Sequence, residues 1–222
     1  MEGALSAYET ALREAGPLSL RAEDGTELPL AISRYLADAD AADRTVLDVC
    51  VPPVLDVGCG PGRIVHALAC MGKVALGVDI ADVAVGLAQR RGAPALTRSV
   101  FQRLPGEGRW PTVLLLDGNI GIGGDVAELL GRLAGLMARG GTVIVEASAP
   151  DPELDQVLQV RFVSDGKVMG PQFHWAVVGS AALIRHANMA GLVLRDYWSA
   201  GGRVFLQFGH RSRSDSRNSS AR

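Results

Sequence analysis

The stretch Val54-Leu55-Asp56-Val57-Gly58-Cys59-Gly60-Pro61-Gly62-Arg63, followed by the apolar run Ile64-Val65-His66-Ala67-Leu68-Ala69, decides the reading of the chain. Its first residues read as a buried strand, the three alternate glycines as a tight turn, and the remainder as a helix. A turn that brings backbone against a ligand carries no Cβ on its inner wall, which is the reason for glycine there. Pro61 suits the first helical turn, where a missing N–H costs nothing. A second strand, Val74-Ala75-Leu76-Gly77-Val78, ends in Asp79. A carboxylate at the end of the neighbouring parallel strand is where ribose hydroxyls are held, so the pair of strands predicts a nucleoside site.

Dinucleotide sites use G-x-G-x-x-G with a free helix N-terminus facing a pyrophosphate. Here Arg63 occupies the place of the third dinucleotide glycine, and Asp56 lies two residues before the first glycine. A carboxylate there repels a pyrophosphate but can hold a cationic amino group. With these features, Leu55-Asp56-Val57-Gly58-Cys59-Gly60-Pro61-Gly62 resembles the first motif of class I S-adenosylmethionine-dependent methyltransferases, and Gly77-Val78-Asp79-Ile80 their second. The resemblance implies a doubly wound, Rossmann-like α/β sheet of seven strands with helices on both faces and the last strand antiparallel. It implies S-adenosyl-L-methionine as cofactor and methyl transfer as the activity.

The rest of the chain is compatible with this. Its 222 residues suit one domain with small decorations. With 22 basic against 24 acidic residues and no basic stripe, nucleic acid is not an expected partner. The amino terminus has no positive region followed by a long apolar stretch, and no run approaches ~18 apolar residues, so a cytoplasmic protein without a membrane partner is expected. Cys50, Cys59 and Cys70 form neither a disulfide framework nor a metal site. Cys59 alone lies near the glycine turn, where it is read as a small packing residue with no base to activate it.

Residues 4–14 carry a helical apolar face, and residues 18–21 and 27–30 a short hairpin around Glu23-Asp24-Gly25-Thr26. Residues 41–50 read as a helix leading into the central strand. Within residues 1–45, a decoration that can act as a lid, Tyr8 and Tyr35 either face a sulfonium by cation–π contact or pack within the lid. Residues 46–210 form the methyltransferase domain, and residues 211–222, rich in Ser and Arg, are expected to be disordered.

A helix over 82–91 leads to a third strand over 95–99. The acidic residue that the family often places after this strand is absent, so Ser99 and Val100 are left to meet the adenine through a hydroxyl or the backbone. The apolar run over 112–116 is a fourth strand that empties into Asp117-Gly118-Asn119-Ile120-Gly121-Ile122-Gly123-Gly124-Asp125. That loop, together with Gly106-Glu107-Gly108-Arg109-Trp110, resembles an actinobacterial subgroup of the family whose substrate is unassigned. In the resemblance it is the active-site loop beside the methyl group. Asp117 becomes the candidate base and Asn119 the residue that positions the acceptor or the cofactor's amino acid moiety, unless both organise the glycine loop.

The cofactor contacts implied are Asp56, Gly58, Cys59, Gly60, Gly62, Asp79, Ile80, Ser99, Val100, Asp117, Gly118 and Ile120. Asp125 reads as the N-cap of a helix over 126–139, which Gly140-Gly141 stops. A fifth strand over 142–146 ends in Glu146, which faces either the pocket or solvent. A hairpin insertion within 150–178 supplies Arg161, His174 and Trp175 as candidate contacts to a small-molecule acceptor, with Phe173 beside them. A helix over 181–190 and two closing strands over 191–198 and 202–209 end the fold, the strands as antiparallel neighbours. Two other readings stay open: a non-catalytic S-adenosylmethionine or nucleoside-binding module, and an NAD-dependent oxidoreductase, which Arg63 and the antiparallel ending disfavour.

Overall fold

The computed structural model describes residues 2–211; the expected disordered tail lies, from residue 212 on, outside the described residues. In chain order the elements are α1 (Glu2–Glu14), β1 (Leu18–Ala22), β2 (Glu27–Leu30), α2 (Ile32–Leu36), α3 (Ala41–Val49), β3 (Val54–Val57) and α4 (Arg63–Cys70). They continue as β4 (Ala75–Asp79), α5 (Asp82–Arg90), β5 (Ala95–Thr97), β6 (Trp110–Leu115), a single 3-10 turn (Asn119–Gly121), α6 (Val126–Leu136) and β7 (Met137–Glu146). The chain then forms β8 (Asp155–Ser164), β9 (Lys167–Val178), α7 (Ser180–Met189), β10 (Leu192–Ala200) and β11 (Arg203–His210).

Seven strands make the main sheet, in the order β10-β11-β7-β6-β3-β4-β5. The five inner and edge strands from β7 to β5 are parallel, whereas β11 runs antiparallel to both β7 and β10. The period-two alternation of the central strands explains why both faces are covered. Leu55, Val57, Val113 and Leu115 point to one layer, where they meet Leu129, Leu133 and Leu183 of α6 and α7. Val54, Leu114 and Ile144 point to the other, against Val46, Val65 and Leu68 of α3 and α4. A strand buried on both faces reads as the continuous apolar run seen in the sequence.

From β3 the chain winds outward through β4 to β5, then returns to the other side of β3 for β6 and β7. This reversal opens a crevice at the carboxyl ends of β3 and β6, the position where such sheets bind ligands.

A second, antiparallel sheet has the order β2-β1-β8-β9. The N-terminal hairpin and the insertion, separate decorations in the sequence, are therefore one structure, joined where Leu20 pairs with Phe162 and Arg21 with Arg161. Helix α1 packs Ala7, Ala11 and Leu12 on it, and Ala81 and Ala84 at the start of α5 close the same cluster. The small sheet is thus anchored to the main domain next to the crevice.

Some boundaries differ from those expected. Helix α6 stops at Leu136 rather than continuing to residue 139, because Met137 already pairs with Trp110 of β6. Gly140 has φ 80°, and a side chain at Gly141 would press on the carbonyls of Trp110 and Ala138, so the glycine pair belongs to an irregular strand start. Pro61 lies in the turn ahead of α4, whose N-cap is Gly62. Helix α2 is too short for its periodicity to register in the sequence. Among the described residues no helix is long and apolar enough to cross a membrane.

Candidate functional site

The crevice opens into a cavity of about 500 Å³. One wall is the glycine turn after β3. Gly58 and Gly60 have φ of 71° and 52°, conformations that favour glycine. The N–H groups of Gly58 and Cys59 donate to the Val78 carbonyl at 2.8 and 3.1 Å, tying the turn to β4. Gly58 also leaves room for Asn119, whose side-chain amide donates to the Gly58 carbonyl at 2.9 Å.

Asp79 ends β4 at the cavity wall. One carboxylate oxygen accepts from the Gly60 N–H and the other from the Ala81 N–H, each at 2.9 Å. Each oxygen keeps a further lone-pair direction, which is what a pair of vicinal hydroxyls needs. Burial raises the Asp79 carboxyl above its ordinary pKa, and the two N–H donors oppose that rise. Asp56, 3% exposed, also lines the cavity. Burial, and then the neighbouring charges of Asp117 and Asp79, push its carboxyl up to about 8.

Beyond Asp79, the cavity is lined by Ile80, Ser99, Val100 and Phe101. The Ser99 hydroxyl accepts from the Phe101 N–H at 3.3 Å, and Arg132 donates to the Val100 carbonyl at 2.8 Å. Ile80 and Phe101 are exposed apolar side chains on this wall. Phe101 was not singled out in the sequence, where it lies in a turn without a motif.

Asp117 is built differently from the expected base. It has φ 58°, and its N–H donates to Glu146 Oε2 at 2.7 Å. One of its oxygens accepts from Arg34 at 2.9 Å and Arg203 at 3.3 Å, and the other from Arg63 at 2.5 Å. Arg203 grips Glu146 through two hydrogen bonds, at 2.8 and 2.7 Å, and reaches Asp43 at 2.7 Å. Arg63 also pairs with Asp43, which closes the capping box of α3 together with Asp40. With Asp40 3.8 Å from Arg203, four carboxylates and three guanidiniums thus form one ionic network under the cavity floor. Burial works against the charge on Arg203, but its bonds to Glu146 and the charges around it hold its pKa above the ordinary value. Glu146 therefore faces neither pocket nor solvent; it is buried in the network. Arg63, met in the sequence only as a missing glycine, links the turn to Asp117.

The far wall belongs to the small sheet and α1. Leu5, Tyr8, Leu20, Leu30, Phe162, Phe173 and Trp175 line it, opposite Ile122 of the loop after β6. Tyr8 and Tyr35 both reach the cavity. Burial, the leading cause for each, lifts the Tyr8 phenol well above its ordinary pKa and pushes Tyr35 up to about 12, so both stay neutral.

Several expected contacts need correction. Gly62 does not line the cavity; its lack of a side chain lets the start of α4 approach Ala88 of α5. Gly118 is the left-handed residue that starts the 3-10 turn, and Ile120 is fully buried in the main core, so neither lines the cavity. Arg161 is exposed, at an irregularity of β8 between the inward-facing Val160 and Phe162. His174, by contrast, does line the cavity, at its exposed rim and 3.4 Å from the Gln159 amide. Cys59 does line the cavity, and its thiol packs on Gly77, with burial keeping it protonated. Asp125 caps α6 by accepting from the Glu128 N–H.

A glycine turn after β3, an acidic end to β4 and an antiparallel β11 threaded between β7 and β10 define the class I methyltransferase sheet. Residues 55–145, from β3 to β7, match the family model described as a methyltransferase domain. The chain therefore has a class I methyltransferase fold, within which residues 55–145 are similar to a methyltransferase domain.

Among solved structures, an S-adenosylmethionine-dependent methyltransferase from Bacteroides fragilis, in complex with S-adenosyl-L-homocysteine, superposes with a TM-score of 0.75 at 18% identity, covering 95% of both chains. The 1,6-didemethyltoxoflavin-N1-methyltransferase of Burkholderia thailandensis gives 0.63 at 15% identity over 94% of this chain and 87% of its own. The CcbJ methyltransferase of Streptomyces caelestis gives 0.58 at 18% identity over 77% and 94%. No curated protein matches the chain by sequence.

Proposed function

We propose that the protein is an S-adenosylmethionine-dependent methyltransferase of EC class 2.1.1 that acts on a small-molecule acceptor in the cytoplasm. The observation that carries this is Asp79: two backbone-anchored carboxylate oxygens at the wall of a covered cavity of about 500 Å³. The residues fit the cofactor. Asp79 would take the ribose hydroxyls, Ile80 and Phe101 would flank the adenine, and Ser99 and Val100 would meet its edge. Asp56 would take the cationic amino group, and the backbone of Gly58, Cys59 and Gly60 would let the amino acid moiety approach. S-adenosylmethionine supplies a methyl group made electrophilic by its sulfonium.

Transfer is an in-line displacement. The acceptor's lone pair would form the new bond to the methyl carbon as the C–S bond broke with its electrons going to sulfur, and any proton released from the acceptor would pass to water. Holding the two partners in line is worth up to about 7–11 kcal/mol. Asp117 does not serve as base in this reading, because arginines occupy both of its oxygens. It holds the floor of the site, and Asn119 fixes the glycine turn. The three cysteines are free thiols, in keeping with a reducing compartment. The Burkholderia neighbour was solved with bound 1,6-didemethyltoxoflavin, which supports a small-molecule acceptor here.

A non-catalytic binding module has no use for the apolar wall that the small sheet adds to the cavity. Methyl-labelled S-adenosylmethionine incubated with a metabolite extract tests this. The expected result is label in a low-mass product that depends on the protein and is lost with Asp79→Ala. Normal cofactor binding with no labelled product would favour the non-catalytic module.

A further inference from the structure

The wall that the small sheet gives the cavity has a chemistry of its own. It comprises Leu20 and Leu30 of the N-terminal hairpin and Phe162, Phe173 and Trp175 of the insertion, with Ile122 opposite. The rings are ordered: Phe162 and Phe173 lie with centroids 5.2 Å apart at 44°, and Phe173 meets Trp175 edge to face at 6.3 Å and 84°. Trp175 is held by Gly121, where any side chain would collide with the indole and with the Ala176 carbonyl.

The charged side chains lining the cavity are Asp56, Arg63, Asp79, Arg98 and Asp117, and all come from the main domain. Arg63 and Asp117 are paired with each other, Asp79 is held by two N–H groups, and Arg98 donates to the Arg103 carbonyl. The small sheet and α1 contribute no Asp, Glu, Lys or Arg to the lining, and their one imidazole there, His174, lies at the exposed rim. A charged acceptor entering there would lose its hydration without gaining a counter-charge.

We propose that the acceptor is an uncharged, planar aromatic molecule, held against Phe162, Phe173 and Trp175, so that the small sheet sets substrate class while the main sheet sets the cofactor. This rests on the methyltransferase reading above. Rings that already meet one another tilted and edge to face favour offset or edge-to-face contact with a third, flat ring.

Three probes of one shape separate charge from shape: quinoline, 1-naphthoate and N-methylquinolinium, titrated at pH 8 into the full chain with S-adenosylhomocysteine present. Quinoline is expected to bind at least ~10-fold more tightly than either ion. Phe173→Leu, which keeps apolar bulk, and Trp175→Leu are each expected to weaken quinoline by up to ~10-fold, the scale of a lost ring contact. Circular dichroism checks that both variants fold.

The proposal is overturned if either ion matches quinoline, if quinoline does not bind, or if both variants bind it like the wild type. S-adenosylhomocysteine is titrated separately. If it fails to bind while the ranking of the probes holds, the methyltransferase reading falls and the aromatic wall stands. If it binds while the ranking fails, only the acceptor class is wrong.

Discussion

Asp56 is a carboxyl whose surroundings oppose its charge, since burial and two nearby acidic groups push it up to about 8. In the unfolded chain the same group titrates near ~3.9, so between these values the folded protein binds the extra proton. The stability this contributes is complete below the unfolded pKa and is lost as pH rises through about 8. Asp56→Asn is therefore expected to raise the melting temperature more at pH 8 than at pH 5, by ~2–4 °C for each kcal/mol recovered. An equal effect at both pH values would contradict the assignment. A cationic amino group docking on Asp56 must also drive off its proton, so cofactor affinity is expected to rise by up to ~10-fold from pH 6 to 7.5, with proton release measurable by calorimetry in buffers of different ionisation enthalpy. Arg203 gives the complementary case. Arg203→Ala would leave Glu146 buried without its guanidinium and Asp43 with Arg63 alone, at an expected cost of about 3–5 kcal/mol in denaturant unfolding. Asp56 and Asp79 were legible in the sequence because their positions follow from the strand-turn-helix pattern alone. The network was not, since Asp43 and Arg203 are 160 residues apart and no local spacing connects them.

At the level of elements, the glycine turn and the loop after β6 support each other. Gly58 is left-handed, and any side chain there would strike the Asn119 amide that bonds its own carbonyl. Gly58→Ala is thus expected to lower both stability and cofactor affinity, the latter by more than tenfold, and wild-type affinity in this variant would remove Asn119 from its organising role. Gly121→Ala would displace Trp175 and the β9 backbone, and is expected to cost 1–3 kcal/mol or more by overpacking, read from the shift in denaturant midpoint. The two hairpins were visible in the sequence from their turn residues and alternating apolar positions. Their union through β1 and β8 was not, because pairing between strands more than a hundred residues apart leaves no local pattern. The end of α6 was misplaced for a related reason: the residues from Met137 onward can continue the helix locally, and pairing with Trp110 draws them into β7.

For the whole molecule, the parallel order was readable because fully apolar strands alternate with amphipathic helices, and the antiparallel ending because no crossover helix separates β10 from β11. The return of the chain from β5 to β6 creates the crevice, the glycine turn and Asp79 supply its walls, and the small sheet covers it. The central claim is that this crevice holds S-adenosylmethionine. Calorimetric titration of the full chain with S-adenosylmethionine, S-adenosylhomocysteine and NAD, on the wild type and on Asp79→Ala, tests it most directly. The account predicts saturable binding of the first two, no comparable binding of NAD, and a loss of at least ~100-fold in the variant, about the worth of two charge-assisted hydrogen bonds. Preference for NAD, or no binding of either sulfur ligand by the folded protein, would contradict it.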